Sequence, residues 1–236
     1  MTVTIRLTAR RITVFFGALT VFFVVANLGD IVARFFLNIH SAFGLIRLFD
    51  SDEEQSIPTY FSTVLLLFSA LMLALIGHTT RANKLVGAAY WFGLSAVFLF
   101  LSVDEAVSIH EVFTKSLRKY VDKDVEVLHL MAWVIPYAVL ALGVGVVYLR
   151  FLWNLPRRLA IYMVASAAIY VGGAIGVELL TGWLFIEDNQ QFGFGYHLAA
   201  AAEEAMEMGG IVLFLFAVSD YAEKTFGTIQ ITIRPS

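Results

Sequence analysis

Six long apolar runs leave few folds open to this sequence. They cover roughly residues 12–35, 58–78, 85–111, 128–151, 158–184 and 196–221, and each reaches the ~20 residues that a helix needs to cross a bilayer core. The runs are continuous rather than alternating, which excludes transmembrane strands. Hydrophobic residues make up 59% of the chain, more than a soluble domain carries. We therefore predict an all-α, polytopic transmembrane bundle of six helices, with both termini on the same side.

Prolines and glycines mark where these helices begin and pack. Pro58 is expected in the first turn of the second helix, Pro136 to kink the fourth, and Pro156 to lie in the turn before the fifth. Gly172 and Gly176 predict a close approach of a neighbouring helix to the fifth. No internal repeat or low-complexity linker interrupts the chain, so residues 1–236 are predicted to form a single transmembrane helical domain.

The distribution of basic residues gives the predicted orientation. With six spans, the side of the termini holds ten Lys and Arg and the other side holds six. Because basic loops stay on the cytoplasmic side, this favours cytoplasmic termini. The ten are Arg6, Arg10, Arg11, Arg81, Lys84, Arg150, Arg157, Arg158, Lys224 and Arg234.

Composition excludes several classes of chemistry. The chain has no cysteine, which rules out disulfides, thiolate metal sites and cysteine nucleophiles. A net charge of -3 gives no basic surface for nucleic acid. Any bound metal would have to be held by nitrogen and oxygen.

Acidic residues are concentrated in the half of the protein opposite the termini. Those in the connecting segments, such as Asp50, Asp52, Glu53 and Glu54, are expected to be solvated, as are His40 and His78; Asp30 is expected to pair with Arg34, its i+4 neighbour. Ionisable residues inside membrane helices usually mark function. The candidate metal ligands are Asp104, Glu105, His110, Glu111, Glu178, His197, Glu203, Glu204 and Glu207, with His129 as a further candidate.

Helical spacing predicts a site in two layers. At about 100° per residue, Asp104 and Glu111 fall on one line of the third helix. His197 and Glu204 repeat this spacing on the sixth helix, which runs in the opposite direction. A deep layer would then combine Asp104 and Glu105 with Glu203, Glu204 and Glu207. A shallow layer would combine His110 and Glu111 with His197 and His129, and Glu178 fits either.

The ligand types suit transition metals. Five or more carboxylates cannot all be ionised in one low-dielectric space, so they share protons or are neutralised by cations. Carboxylate with imidazole suits Zn, Fe or Mn, and two stacked ions would explain two layers. The di-iron pattern of Glu-x-x-His on two helices is matched only once, by Glu126 and His129.

Two phrases and one acidic segment carry a resemblance to other proteins. They are Leu101-Ser-Val-Asp-Glu-Ala-Val-Ser-Ile-His-Glu111, Glu203-Glu-Ala-Met-Glu-Met-Gly209 and the acidic lead from Phe49 to Pro58. With them the chain resembles a group of uncharacterised bacterial multi-span proteins. The resemblance implies six spans and a bacterial inner membrane, and it brings no activity or ligand set with it.

Three functions fit these observations. The first is a membrane-embedded metal-binding protein, an oxidoreductase or hydrolase if it is an enzyme, whose lipid or quinone-like substrate enters from the bilayer. The second is a proton- or cation-coupled transporter with the acidic residues as its ion path. The third is an accessory subunit of a larger membrane protein complex.

Overall fold

The computed structural model describes residues 3–39, 48–50 and 56–233, with the two terminal strands described as backbone only. In chain order the elements are β1 (Val3–Leu7), α1 (Ala9–Phe36), α2 (Ile57–Ala82), α3 (Ala88–Val107), α4 (Ile109–Leu117), a 3₁₀ turn (Arg118–Tyr120), α5 (Glu126–Leu130), α6 (Val134–Trp153), α7 (Arg157–Val171), a π-helical segment (Gly172–Val177), α8 (Glu178–Glu187), α9 (Phe194–Phe226) and β2 (Ile229–Ile233). The expectations for His40, Asp52, Glu53 and Glu54 concern residues outside this description.

Five helical stretches are long and apolar enough to cross a membrane. They are α1, α2, α3, α6 and the continuous run Arg157–Glu187 formed by α7, the π-helical segment and α8. Helix α9 is longer than any of them at 33 residues, and it carries Glu203, Glu204 and Glu207 within an apolar segment. The structure thus confirms the predicted class to this extent: the protein is helical, and its long helices are apolar enough to cross a membrane.

Local signals explain where these helices begin. Ser56 caps α2 by accepting a hydrogen bond from the Thr59 N–H at 3.2 Å, and Pro58 lies in the first turn as predicted. The fourth predicted helix, over 128–151, is divided: α5 ends at Leu130 and α6 begins at Val134, so Pro136 lies in the first turn of α6 and not at a kink within one helix. Proline in a first turn removes an N–H that has no helical partner, so the helix need not bend.

Helix α9 organises the bundle. It packs against α1 on one flank and against α7, the π-helical segment and α8 on the other, with α2 also in contact. Met208, Leu215 and Val218 on α9 are fully buried. Because the acidic residues lie on this central helix, its packing fixes where their side chains point.

The chain ends form a small sheet that the all-α prediction missed. β1 pairs with β2 antiparallel, placing Val3 opposite Ile233 and Leu7 opposite Ile229. The sequences VTIRL and IQITI alternate apolar and polar residues, which is the strand signature. Each strand has only five residues, and the pairing joins opposite ends of the chain, so local periodicity gave no reason to pair them.

The third apolar run is broken, against prediction. A continuous helix over 85–111 was expected, but α3 ends at Val107 and α4 begins at Ile109. Ser108 between them has φ 52° and ψ 50°, in the left-handed region. Non-glycine residues rarely adopt this conformation, and no glycine or proline marks the break. The helical phase that placed Glu111 in line with Asp104 therefore does not hold.

Candidate functional site

A cavity of about 790 Å³ lies between α3, α6, α7 and α9. One end is lined by apolar side chains such as Leu94, Val144 and Phe214, and the other end by carboxylates. The predicted residues that line it are Asp104, Glu105, His110, Glu111, Glu178, Glu203, Glu204 and Glu207. The structure therefore brings most of the sequence-predicted set to one cavity.

Six of these residues form what we call the acidic cavity wall: Asp104, Glu105, Glu178, Glu203, Glu204 and Glu207. They come from α3, α8 and α9. Glu207 lies in the electrostatic field of Glu105, Glu178 and Asp104, with His110 as the neighbouring imidazole. The carboxyl of Glu203 faces Glu178, Glu207 and Glu204. These are the members of the predicted deep layer, and Glu178 belongs with them.

The carboxylate of Glu178 is positioned by one side-chain donor, the indole N–H of Trp133, which lies 3.3 Å from Oε1. The Thr181 hydroxyl donates to the Glu178 backbone carbonyl at 2.7 Å and lies 3.4 Å from Oε2. The Trp133 ring also lies 5.2 Å from the His110 ring, centroid to centroid. Trp133 thus links the imidazole of α4 to the carboxylate of α8. Nothing in the sequence distinguishes Trp133 from an ordinary interfacial anchor, because it is an indole near a helix start.

The π-helical segment lets α9 approach very closely. A Cβ on Gly173 would meet the Glu203 carbonyl oxygen at 3.0 Å and the Glu207 Cγ at 3.3 Å. A Cβ on Gly176 would meet nothing within 4 Å. The predicted close approach is confirmed at Gly172, whose added Cβ would meet Met206, but its tightest point is Gly173 rather than Gly176. π-helical turns occur often at functional sites, and this one ends at Glu178.

Asp104 stabilises the helix break that follows it at Ser108. Its carboxylate accepts a hydrogen bond from the His110 backbone N–H at 2.9 Å, and its Oδ1 lies 3.4 Å from His110 Nδ1. Asp104 therefore caps α4 and holds the imidazole beside the wall. This arrangement arises only because the helix breaks at Ser108.

The mouth of the cavity holds the more exposed members of the predicted set. Glu111 pairs with Lys115 at 3.1 Å, as an exposed i,i+4 ion pair. Arg118 donates to the backbone carbonyls of His129 and Leu130. The His129 ring lies 3.1 Å from the Val121 carbonyl oxygen and does not line the cavity. His129 thus packs within the segment that connects α4 to α6, and it is not part of the acidic cavity wall.

The structure places His197 elsewhere. It is buried on the α1 side of α9, with its ring 5.5 Å from that of Phe35, and it does not line the cavity. Near it, Arg34 pairs with Asp30 at 2.9 Å, which confirms the predicted i,i+4 pair. Arg34 also pairs with Asp50 at 2.7 Å. Asp50 is buried, so the expectation that it is solvated is wrong.

The donor set of the wall suits hard or borderline divalent ions. Six carboxylates and the His110 imidazole could supply oxygen and nitrogen ligands, a combination that suits Mn, Fe or Zn. Within residues 3–39, 48–50 and 56–233, no three His, Asp or Glu side chains are arranged in advance around one ion position. Tyr137 and Tyr170 add hydroxyl groups to the same cavity.

The fold and the cavity together define a multi-helix protein with membrane-length apolar helices and carboxylates between them. Residues 17–221 match the model of a family described as Domain of unknown function (DUF8692), and the chain belongs to this family. No curated protein and no solved structure matches the chain.

Proposed function

We propose that this protein is a membrane-embedded metal-binding protein whose acidic cavity wall and His110 hold one or two divalent transition-metal ions. The carrying observation is that carboxylates from three separate helices face one another across a single cavity. Like charges at such depth require neutralisation by protons or cations. A metal ion supplies that neutralisation and also explains the neighbouring imidazole.

Glu203 and Glu207 are the central ligands of this proposal. They lie four residues apart on α9, so both can reach one ion from the same helix face. Glu105, Glu178 and His110 approach from α3, α8 and α4. The carboxylates must turn toward a shared ion, a change that side-chain rotation can supply. Trp133 then fixes the orientation of Glu178, as partners of metal ligands commonly do.

The cavity gives such an ion access to an apolar substrate. Its apolar end would admit a lipid or quinone-like molecule, and its acidic end would present it to the metal. A metal held by these residues would supply Lewis-acid chemistry, polarising a substrate oxygen or activating water. We therefore place the protein among oxidoreductases or hydrolases that act within the membrane.

The proposed topology has six spans, with α9 as the sixth and both termini in the cytoplasm. The pairing of β1 with β2 supports termini on one side, since the two strands flank the first and last long helices. The excess of basic residues on that side supports the cytoplasm. The resemblance to bacterial multi-span proteins supports the inner membrane.

Elemental analysis of purified protein tests the proposal. We expect about one to two equivalents of Fe, Zn or Mn in the wild type, and loss of most of that metal in Glu203→Gln and Glu207→Gln. Each substitution keeps the size of the side chain and removes its charge. Glu187→Gln is the matched control, because Glu187 is exposed at the end of α8, and it should keep the metal. Metal-free wild type would refute the proposal and favour a shared-proton role for the wall.

A further inference from the structure

The cavity extends well beyond the acidic wall. Its apolar part, here called the apolar arm, is lined by Leu94, Phe98, Ala141, Val144, Gly145 and Phe214. On α6 the lining residues run from Tyr137 to Leu152, which spans about 22 Å at 1.5 Å per residue. One leaflet of hydrocarbon is about 15 Å deep. The cavity is therefore long enough to hold a lipid chain lengthwise.

Helix α6 separates the arm from the surrounding bilayer. Its C-terminal half is anchored by the Tyr148 hydroxyl, which donates to the Tyr90 carbonyl at 2.8 Å, and by Phe151, which stacks on Tyr90. Its other flank is highly exposed, including Leu142 and Val146. The arm thus lies one helix away from hydrocarbon, on the side where the bundle is least closely packed.

The arm is suited to hydrocarbon rather than water. Apolar cavities stay dry, because a buried water needs two to four polar partners. An empty apolar space is itself costly, since its lining loses dispersion contacts. The whole cavity is within the ~300–1,000 Å³ of sites that take one small molecule, so a single chain is the natural occupant.

The junction between arm and wall defines the polar end of that occupant. The hydroxyl of Tyr137 is buried there close to the Asp104 carboxylate, but it makes no hydrogen bond within 3.5 Å among the described residues. An oxygen acceptor on a ligand would satisfy it, since a phenol can donate. A neutral oxygen can accept this hydrogen bond whether protons or cations neutralise the nearby carboxylates, whereas a phosphate would be repelled wherever a carboxylate stays ionised. The end group that fits either state carries oxygen and no charge.

We propose that the cavity binds a lipid with one long hydrocarbon chain ending in an uncharged oxygen-bearing group. The chain lies in the apolar arm, and the oxygen accepts a hydrogen bond from Tyr137 beside the acidic wall. Long-chain alcohols and isoprenoid quinones share this chemistry. This lipid would be the substrate of the proposed metal site. Only the reaction rests on the proposed function, because the apolar arm and Tyr137 define lipid binding by themselves.

Photolabelling tests this inference on the full-length protein in nanodiscs. The probe is a long-chain alcohol that carries a diazirine in its chain and a terminal alkyne for detection. We expect crosslinks on peptides of α6, α7 and α9. Hexadecanol and an isoprenoid quinone are separate competitors, and whichever displaces the probe identifies the source of the shared chemistry. Phosphatidylglycerol, with two chains and an anionic head, should not compete.

Gly145→Trp and Gly143→Trp form the decisive pair. Both glycines lie on α6, and a Cβ at either meets nothing within 4 Å, but only Gly145 lines the cavity. Gly145→Trp fills the arm and should lower labelling at least tenfold, whereas Gly143→Trp should label like wild type. Tyr137→Phe should lower probe affinity about fivefold, the effect of one neutral hydrogen bond.

The metal content of the same preparations separates this inference from the proposed function. Gly145→Trp should retain metal while losing the probe. Equal labelling of the two glycine variants, or displacement by phosphatidylglycerol, would overturn the lipid assignment whatever the metal analysis shows. Absence of metal together with the expected labelling pattern would refute the metal proposal and leave the lipid site standing.

Discussion

The backbone N–H of His110 donates a 2.9 Å hydrogen bond to the carboxylate of Asp104, across a single left-handed residue, Ser108. This contact joins two helices that a continuous apolar run would have merged. It caps the start of α4 and keeps the His110 imidazole beside the acidic cavity wall. The break is therefore part of how the site is built.

Replacing Ser108 tests whether the left-handed conformation carries strain. Ser108→Gly and Ser108→Ala both remove the hydroxyl, but only glycine accepts φ 52° without steric cost. The glycine variant should exceed the alanine variant in stability by about 1 kcal/mol. Thermal unfolding in one detergent, compared between the two variants, measures the difference. Equal stability would mean that the turn is unstrained.

The role of Trp133 gives a second prediction. Trp133→Phe keeps an aromatic ring beside His110 and removes the N–H that reaches Glu178. On the proposed function, metal affinity should fall about tenfold, the lower end of the effect of losing an orienting partner. Competition with a chelator of known affinity measures it.

Trp153→Phe is the matched control for this experiment, because Trp153 is 90% exposed at the far end of α6. Its metal affinity should equal that of the wild type. If Trp133→Phe also binds like wild type, the indole does not orient a metal ligand.

Most of the residues selected from the sequence line one cavity, whereas the helix that carries His110 and Glu111 was predicted wrongly. The residues that meet at the wall were selected because charge inside apolar runs is expensive, a rule that needs no knowledge of the fold. The predicted arrangement of these residues in two layers is wrong at His110, Glu111 and His197. It assumed one unbroken helix through Ser108 and α3 directly opposite α9 at both depths. Neither the αL turn nor the rotation of His197 toward α1 has a local sequence signal.

Asp50 is another residue whose environment the sequence did not predict. It precedes the acidic residues Asp52, Glu53 and Glu54 in the sequence, so composition indicated a solvated residue. Its burial depends on Arg34, sixteen residues earlier and already paired with Asp30. The contact of Arg34 with both carboxylates depends on the tertiary structure, and the sequence pattern of neither segment predicts it.

Arg34 should accordingly be important for stability. Arg34→Met removes the shared partner of Asp30 and Asp50, both of which are buried. Leaving buried charge uncompensated costs about 3 kcal/mol. Lys224→Met, which breaks the exposed pair with Asp220, should cost less than about 1 kcal/mol. Unfolding in a denaturant series compares them, and similar losses would contradict the bridging role.

Close packing at Gly173 gives a matched pair within the π-helical segment. Gly173→Ala pushes a methyl group to 3.0 Å from the Glu203 carbonyl, so α9 must retreat and stability should fall by about 1–3 kcal/mol. Gly176→Ala meets open space and should be neutral or slightly stabilising. Unfolding measurements with metal analysis on both variants check this. A tolerated Gly173→Ala would show that α9 can move without disturbing Glu203 and Glu207.

Topology can be tested without background labelling, because the chain has no cysteine. In the proposed six-span arrangement, Asn189, in the turn between α8 and α9, lies outside the cell, and Lys84, in the turn between α2 and α3, lies in the cytoplasm. A membrane-impermeant thiol reagent added to intact cells should therefore label Asn189→Cys and not Lys84→Cys, with both labelled after lysis. The opposite pattern would reverse the orientation. Labelling of both sites in intact cells would contradict the odd number of spans, three, that the proposed arrangement places between them, and would remove the structural reason for placing the acidic wall in the outer half of the membrane.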